Sequence, residues 1–179
     1  MRLDVLTLEQ CEQVRLWRND ALYALRTPYP LTAEQQADFY RNVVCDRNAR
    51  SRYWAVLNGS GSHHVGDPDS DFIGMVGLEN LEWENEIAEI SIMVDPALRG
   101  KHKGGEALHL LLDEGFNQMR LDLIWGICYE CNPAMGFWEN MIAKYNMQFH
   151  WKRRQKQWKG KKYRGLYFDI AKEEFDRVG

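Results

Sequence analysis

The sequence predicts a single α/β domain over 1–179, with elements in the order βααβββαβαββ. Three observations carry that prediction. Short runs rich in β-branched and aromatic residues recur at 53–57, 72–78, 87–94 and 122–129. Between the last two, 106–119 places apolar residues at 107, 108, 111, 112, 116 and 119, the spacing of one helical face. A chain of 179 residues, 45% of them hydrophobic, also buries enough surface for one core without disulfide or metal staples.

Taken in order, 3–8 alternates as a first strand, and 9–19 carries Cys11, Val14, Leu16 and Trp17 at helical spacing. Thr27-Pro28-Tyr29-Pro30 is extended or turned, and Thr32 with Gln35 forms a capping-box signature that opens a second helix through about Val44. The strands at 53–57 and 72–78 flank 58–71, whose Gly, Ser, Asp and Pro read as a hairpin loop. His63 and His64 lie in that loop with no Cys or Glu at ligand spacing, so they read as a solvated pair and no metal is expected. In Ile87–Val94, Ile90, Ile92 and Val94 point to one side and Glu89, Ser91 and Met93 to the other. The helix at 106–119 and the strand at 122–129 follow. Pro133 opens a short helix with Met135, Phe137, Trp138 and Met141, and two closing strands flank Trp158-Lys159-Gly160-Lys161.

The net charge of −3 hides an asymmetry. Residues 150–164 hold eight of the 23 Lys and Arg and no acid, which leaves fifteen bases against 26 acids, or −11, elsewhere. Glu79, Glu82, Glu84, Glu86 and Glu89 fall in a stretch with no base. No apolar run approaches the ~20 residues that cross a bilayer, and the first residues have no signal-peptide core, so a cytoplasmic location is expected. Four cysteines are too few for a disulfide framework. The Cys128-x-x-Cys131 pair has no second pair and ends a strand, which reads as two reduced thiols.

The segment most informative about chemistry is 90–107. A strand ends in Val94-Asp95-Pro96, passes through Arg99-Gly100-Lys101-His102-Lys103-Gly104-Gly105, and starts a helix. Glycines admit close backbone approach, first-turn amides lack internal partners, and the helix dipole adds partial positive charge, so the segment is a cradle for an anion. It is not a P-loop, because no Lys-Ser/Thr pair follows at the required spacing.

Strand, Arg-Gly-Lys-x-x-Gly, then Ala-Leu-x-x-Leu-Leu-x-x-x-Phe resembles the acyl-CoA site of the GNAT acetyltransferases. The opening Val14-Arg15-Leu16-Trp17-Arg18-Asn19, the segment 124–138 with Asn132, and Gly165-Leu166-Tyr167-Phe168-Asp169 resemble the RimJ/RimL-type branch. The Trp-Arg-Asn opening with Arg26 and 32–40 is also similar to enzymes that acetylate amino groups on nucleotide-linked sugars. The resemblance implies a mixed, mostly antiparallel sheet, splayed near its middle and flanked by helices, with acetyl-CoA inserted at the splay. It further implies that the backbone of Ile92, Met93 and Val94 pairs with the pantetheine arm. Amides of Arg99, Gly100, Lys101, His102, Lys103, Gly104 and Gly105 would hold the diphosphate, and Asn132 would touch the arm. The implied activity is direct acetyl transfer to a primary amine of a protein N-terminus, an amino sugar or a polyamine, with no metal.

Two departures from the family pattern stand out. His102 replaces the first glycine of the loop, and the position usually held by a Tyr general acid is Glu139, so Tyr145 is the nearest phenol for that role. An alkylammonium with pKa ~10 must lose a proton before it attacks, and Glu89 is the first candidate base, with Glu86 and Glu84 next. A strand amide near Met93 or Val94 would stabilise the oxyanion. The rival expectation is a degenerate fold that uses the basic, aromatic run 150–164 to bind nucleic acid or an acidic partner. As a middle reading, that hairpin walls the acceptor pocket and selects an anionic acceptor. Both monomer and homodimer are compatible with seven Trp and an exposed final strand.

Overall fold

Capping chemistry sets where the first helices begin. Thr7 accepts from the Gln10 amide at 3.2 Å while the Gln10 side chain accepts from the Thr7 amide at 3.0 Å, a capping box that ends strand β1 (Arg2–Val5) and starts helix α1 (Leu8–Asp20). This box lies inside the expected strand 3–8, which is why the strand is shorter than the alternation predicts. The box expected at Thr32 and Gln35 forms and opens α2 (Ala33–Phe39), which continues into one wide turn at Tyr40–Val44.

The structure, a computed structural model, describes residues 1–59 and 71–178; His63, His64 and the rest of 60–70 lie outside the described residues. Strands β2 (Arg52–Leu57), β3 (Phe72–Glu82) and β4 (Ile87–Val94) follow, then α3 (Lys103–Asp113) with a wide turn over Glu114–Gln118, and β5 (Leu123–Tyr129). Helix α4 (Met135–Tyr145), β6 (Gln148–Trp158) and β7 (Lys161–Ala171) complete the expected order. Lys159 and Gly160 join β6 to β7, both at positive φ (46° and 77°), as a two-residue hairpin turn of matching twist requires. One short helix, α5 (Lys172–Asp176), was not anticipated. The Ala171 amide donates to Glu174, and Phe175 drops into the core against Phe116 and Tyr145.

The seven strands form one sheet in the order β1-β2-β3-β4-β5-β7-β6, antiparallel except between β4 and β5. That parallel pair is joined only from Ile87 to Glu89, opposite Leu123 to Trp125. Beyond it, β4 pairs with β3 alone and β5 with β7 alone, so the sheet splays at its middle. Helices α3, α4 and α5 cover one face, where Val76, Leu78, Leu108, Leu111, Ile124 and Phe168 form the larger core. A smaller core on the other face joins Cys11 and Val14 of α1 to Ala55, Leu57 and Met75. Among the described residues, no helix is long and apolar enough to cross a membrane.

Candidate active site

The alternation of β4 decides what faces the splay. Asp95 donates its amide to Ile73 at 2.8 Å across the same register that pairs Val94 with Gly74. Backbone groups of an antiparallel strand point alternately to the two sides, so Ile92 and Val94 turn their N–H and C=O to the splay, and Met93 turns its own to β3. The side chains alternate across the sheet instead. Ile90, Ile92 and Val94 pack on the helix-covered core, and Met93 packs on the smaller core of the opposite face.

After β4, Asp95 caps a short turn at Pro96–Leu98 by accepting from Ala97 at 2.8 Å, and the chain enters the glycine-rich loop. Gly100 has φ 77° and His102 φ 60°, both left-handed. His102, which stands where the family pattern has glycine, is thus left-handed at the N-cap of α3, and it is one of the few residue types that tolerate that conformation. Lys101 donates to Leu98 and Gly105 to His102, whereas the amides of Gly100, His102, Lys103 and Gly104 have no acceptor among the described residues. A Cβ at Gly104 would stand 3.2 Å from the Phe137 ring of α4, so this glycine also lets the two helices approach. Four unpaired amides and a helix N-terminus thus lie at one end of the splay, in a loop that carries Arg99, Lys101 and Lys103; the Lys103 ammonium donates to Asn58 at 3.2 Å and lies 3.7 Å from Glu106.

At the end of β5, the Asn132 amide bonds to Tyr129 at 2.8 Å and its side-chain oxygen accepts from Ala134 at 2.9 Å. Asn132 shapes the turn into α4 at the mouth of the splay, and its side-chain NH2 has no partner among the described residues.

Glu89 lies on the face opposite Ile90, Ile92 and Val94, at the last residue of the β4/β5 ladder. It is buried, and it is not a free carboxylate. Arg26, from the segment between α1 and α2, holds both of its oxygens, one at 3.3 Å and the other in a short ion pair. Asn80 donates to Glu89 Oε2 at 2.7 Å from a bulge between Glu79 and Glu82. Three of about four acceptor positions on the carboxylate are thereby taken. The hydrogen bond to Glu89 raises the Arg26 guanidinium pKa, with Tyr129 adding to the effect. Neighbouring Glu79 accepts the Tyr53 hydroxyl at 2.7 Å, and burial first, then Glu79, pushes that phenol up. Neither Glu84 nor Glu86 joins the network; they form the β3–β4 turn, Glu86 with φ 57°.

The structure separates Tyr145 from these groups. It is fully buried, its hydroxyl is 3.2 Å from His109 Nδ1, and its ring stacks on Phe175. Tyr145 packs the far ends of α3, α4 and α5, so the expectation of an acid at the site is not met by this residue. Cys11 and Cys128 are buried, and burial pushes both thiols up to about 12, which removes any nucleophilic role near neutral pH. Cys131 donates to the Tyr23 carbonyl at 3.1 Å. Among the described residues, no group of three or more His, Cys, Asp or Glu is placed to hold a metal.

The basic run 150–164 is partly turned inward. Lys156 is buried, its ammonium donating to the carbonyls of Leu22 and Leu25, and burial lowers its pKa. The hairpin therefore pins the 21–26 segment that delivers Arg26. Of its aromatic rings, Trp151 is exposed and carries the Arg164 guanidinium at 4.4 Å, while Lys152 lies over Tyr167 of β7 at 4.0 Å.

Comparison with curated protein sequences gives no match. Among solved structures, the fold is similar to spermidine N-acetyltransferase SpeG from Vibrio cholerae in complex with CoA and spermine, at TM-score 0.79 and 17% identity, over 97% of this chain and 96% of that one. A mutant of the same enzyme aligns over 100% of both chains at TM-score 0.76 and 17% identity. At that identity the likeness speaks for the fold. The model of the acetyltransferase (GNAT) domain matches residues 1–136, from β1 through the loop and α3 into the start of α4. With that match over most of its length, the chain belongs to the GNAT acetyltransferase family, whose acyl donor is acetyl-CoA.

Proposed function

We propose that this protein transfers the acetyl group of acetyl-CoA directly to a primary amine, as a cytoplasmic enzyme of the RimJ/RimL-like branch. The observation that carries the reading is the splay itself, with backbone groups of Ile92 and Val94 on one edge and a loop of unpaired amides at its end. The pantetheine arm completes the β4 edge as a missing strand would; within 99–105 the amides of Gly100, His102, Lys103 and Gly104 take the diphosphate, helped by the helix dipole, while those of Arg99, Lys101 and Gly105 bond within the loop and shape it. Asn132 contacts the arm from the other lip through its side-chain NH2.

The amine reaches the thioester from the sheet face that bears Glu89. Its lone pair attacks the carbonyl carbon, and the Val94 amide donates to the oxygen as it becomes an oxyanion; such a donor is worth ~3 kcal/mol. Glu89, through its remaining acceptor position, takes the proton the ammonium sheds, while Arg26 and Asn80 fix its orientation. Collapse of the tetrahedral intermediate breaks the C–S bond and releases CoA as a thiolate. The nitrogen sheds its second proton as the C–S bond breaks, and that proton, relayed through water, neutralises the thiolate, whose conjugate thiol has a pKa of ~8.5. No acyl-enzyme forms.

Incubation with acetyl-CoA and a panel of primary amines, read by thiol release and by the mass of the acetylated product, tests the reading. Acceptor-dependent thiol release is expected. Absence of CoA binding together with salt-sensitive binding of single-stranded RNA would replace it with the binding-module reading.

A further inference from the structure

We propose that the acceptor amine carries an anionic group, a carboxylate or a phosphate, and that the Arg18 guanidinium receives it; this rests on the transferase reading above and narrows it to a substrate class. Arg18 continues the stripe of α1 that begins with Cys11 and Val14, both fully buried against the sheet. A position in that stripe is expected to be apolar. The two residues beside Arg18 have structural tasks, for Trp17 stacks on Phe72 and Asn19 clamps both backbone groups of Leu31 at 2.9 Å.

Arg18 has no such task; the residue is half-buried, with its Nε enclosed. Its Nε is the one buried side-chain nitrogen or oxygen among the described residues that lacks a hydrogen-bond partner, and no carboxylate among them pairs with its guanidinium. The nearby acids are already engaged, Glu79 by Tyr53 and Glu89 by Arg26 and Asn80. The Tyr53 phenol feels the charge of Arg18, which places the guanidinium over β2 and β3 on the same sheet face as Glu89 and Met93. Native proteins seldom leave an enclosed N–H of a charged group unpaired, because the lost hydration of that N–H is not repaid. An anion on the acceptor repays it, and the planar fork of guanidinium suits carboxylate and phosphate in particular. A polycation in the same place would add an ammonium to an already unpaired cation.

Steady-state kinetics on matched acceptors test this: glucosamine against glucosamine 6-phosphate, propylamine against β-alanine, and spermidine. The anionic member of at least one pair is expected to have a KM at least tenfold lower than its neutral partner, with kcat little changed, and to be preferred over spermidine; the two pairs separate phosphate from carboxylate. Arg18→Met is expected to erase the difference while leaving the dissociation constant of CoA within twofold, and Arg18→Lys to restore part of it. Preference for spermidine or for both neutral amines in the unaltered protein overturns the proposal even if the variant fails to fold. So does full discrimination in a folded Arg18→Met. Tight CoA binding with acetylation of the wrong amines refutes only the acceptor class, whereas absent CoA binding refutes the transferase reading and this inference with it.

Discussion

Glu89 shows how far a side chain's role depends on contacts that span the chain. Strand alternation alone puts it on the face away from Ile90, Ile92 and Val94, and that placement was legible in the sequence. Its ion pair was not, because Arg26 is 63 residues away and arrives on an irregular segment with no periodic signal. Asn80 was equally hidden, brought in by a bulge that no spacing rule announces. Replacing Glu89 by Gln is expected to lower kcat at least tenfold with CoA affinity unchanged; equal turnover across the pH range would remove Glu89 from the chemistry. Tyr145 tests the opposite case. Tyr145→Phe loses one hydrogen bond to His109, about 1 kcal/mol of stability, and is expected to keep kcat within about threefold. A large loss of kcat at normal stability would return the phenol to the mechanism.

Elements, by contrast, were largely readable, because caps and periodicities are local. The box at Thr32 and Gln35, the face of α3 and the Lys159-Gly160 turn all formed where the residues called for them. What escaped was α5, five residues long, too short for a periodic pattern and held by the packing of Phe175 on a core assembled from distant segments. Within the α3 loop, the left-handed N-cap tolerates His or Gly but resists a β-branched side chain. His102→Val is expected to cost about 1–2 kcal/mol in thermal unfolding and to weaken CoA, while His102→Gly keeps affinity. An unaffected His102→Val would show that the φ of 60° does not constrain this turn.

Over the whole molecule, the two cores on opposite sheet faces bury one thiol each, Cys11 in the smaller and Cys128 in the larger. Burial raises both from 9.0 to about 12. The native state therefore keeps protons that the unfolded chain releases, so stability is fully present below pH 9 and falls as pH rises from 9 to 12. Denaturant unfolding followed over that interval is expected to show the decline, and a double Cys11→Ala, Cys128→Ala variant to flatten it; an identical slope in the variant would assign the loss to other groups.

The element order was readable because the strand runs, one strongly amphipathic helix and the glycine-rich loop are local patterns, while the splayed sheet was expected from the family resemblance that those motifs carry. The surroundings of Glu89 were not, since Arg26, Asn80 and Glu89 meet only through tertiary structure, as do Arg18 and Tyr53. The splay and its loop are where the account is most exposed. Calorimetric titration with CoA and, separately, with pantetheine, which lacks the diphosphate, tests that point most directly. One CoA per chain, bound at least a hundredfold more tightly than pantetheine, is the predicted result. Equal affinity for the two, or no heat with CoA at millimolar concentration, would contradict it.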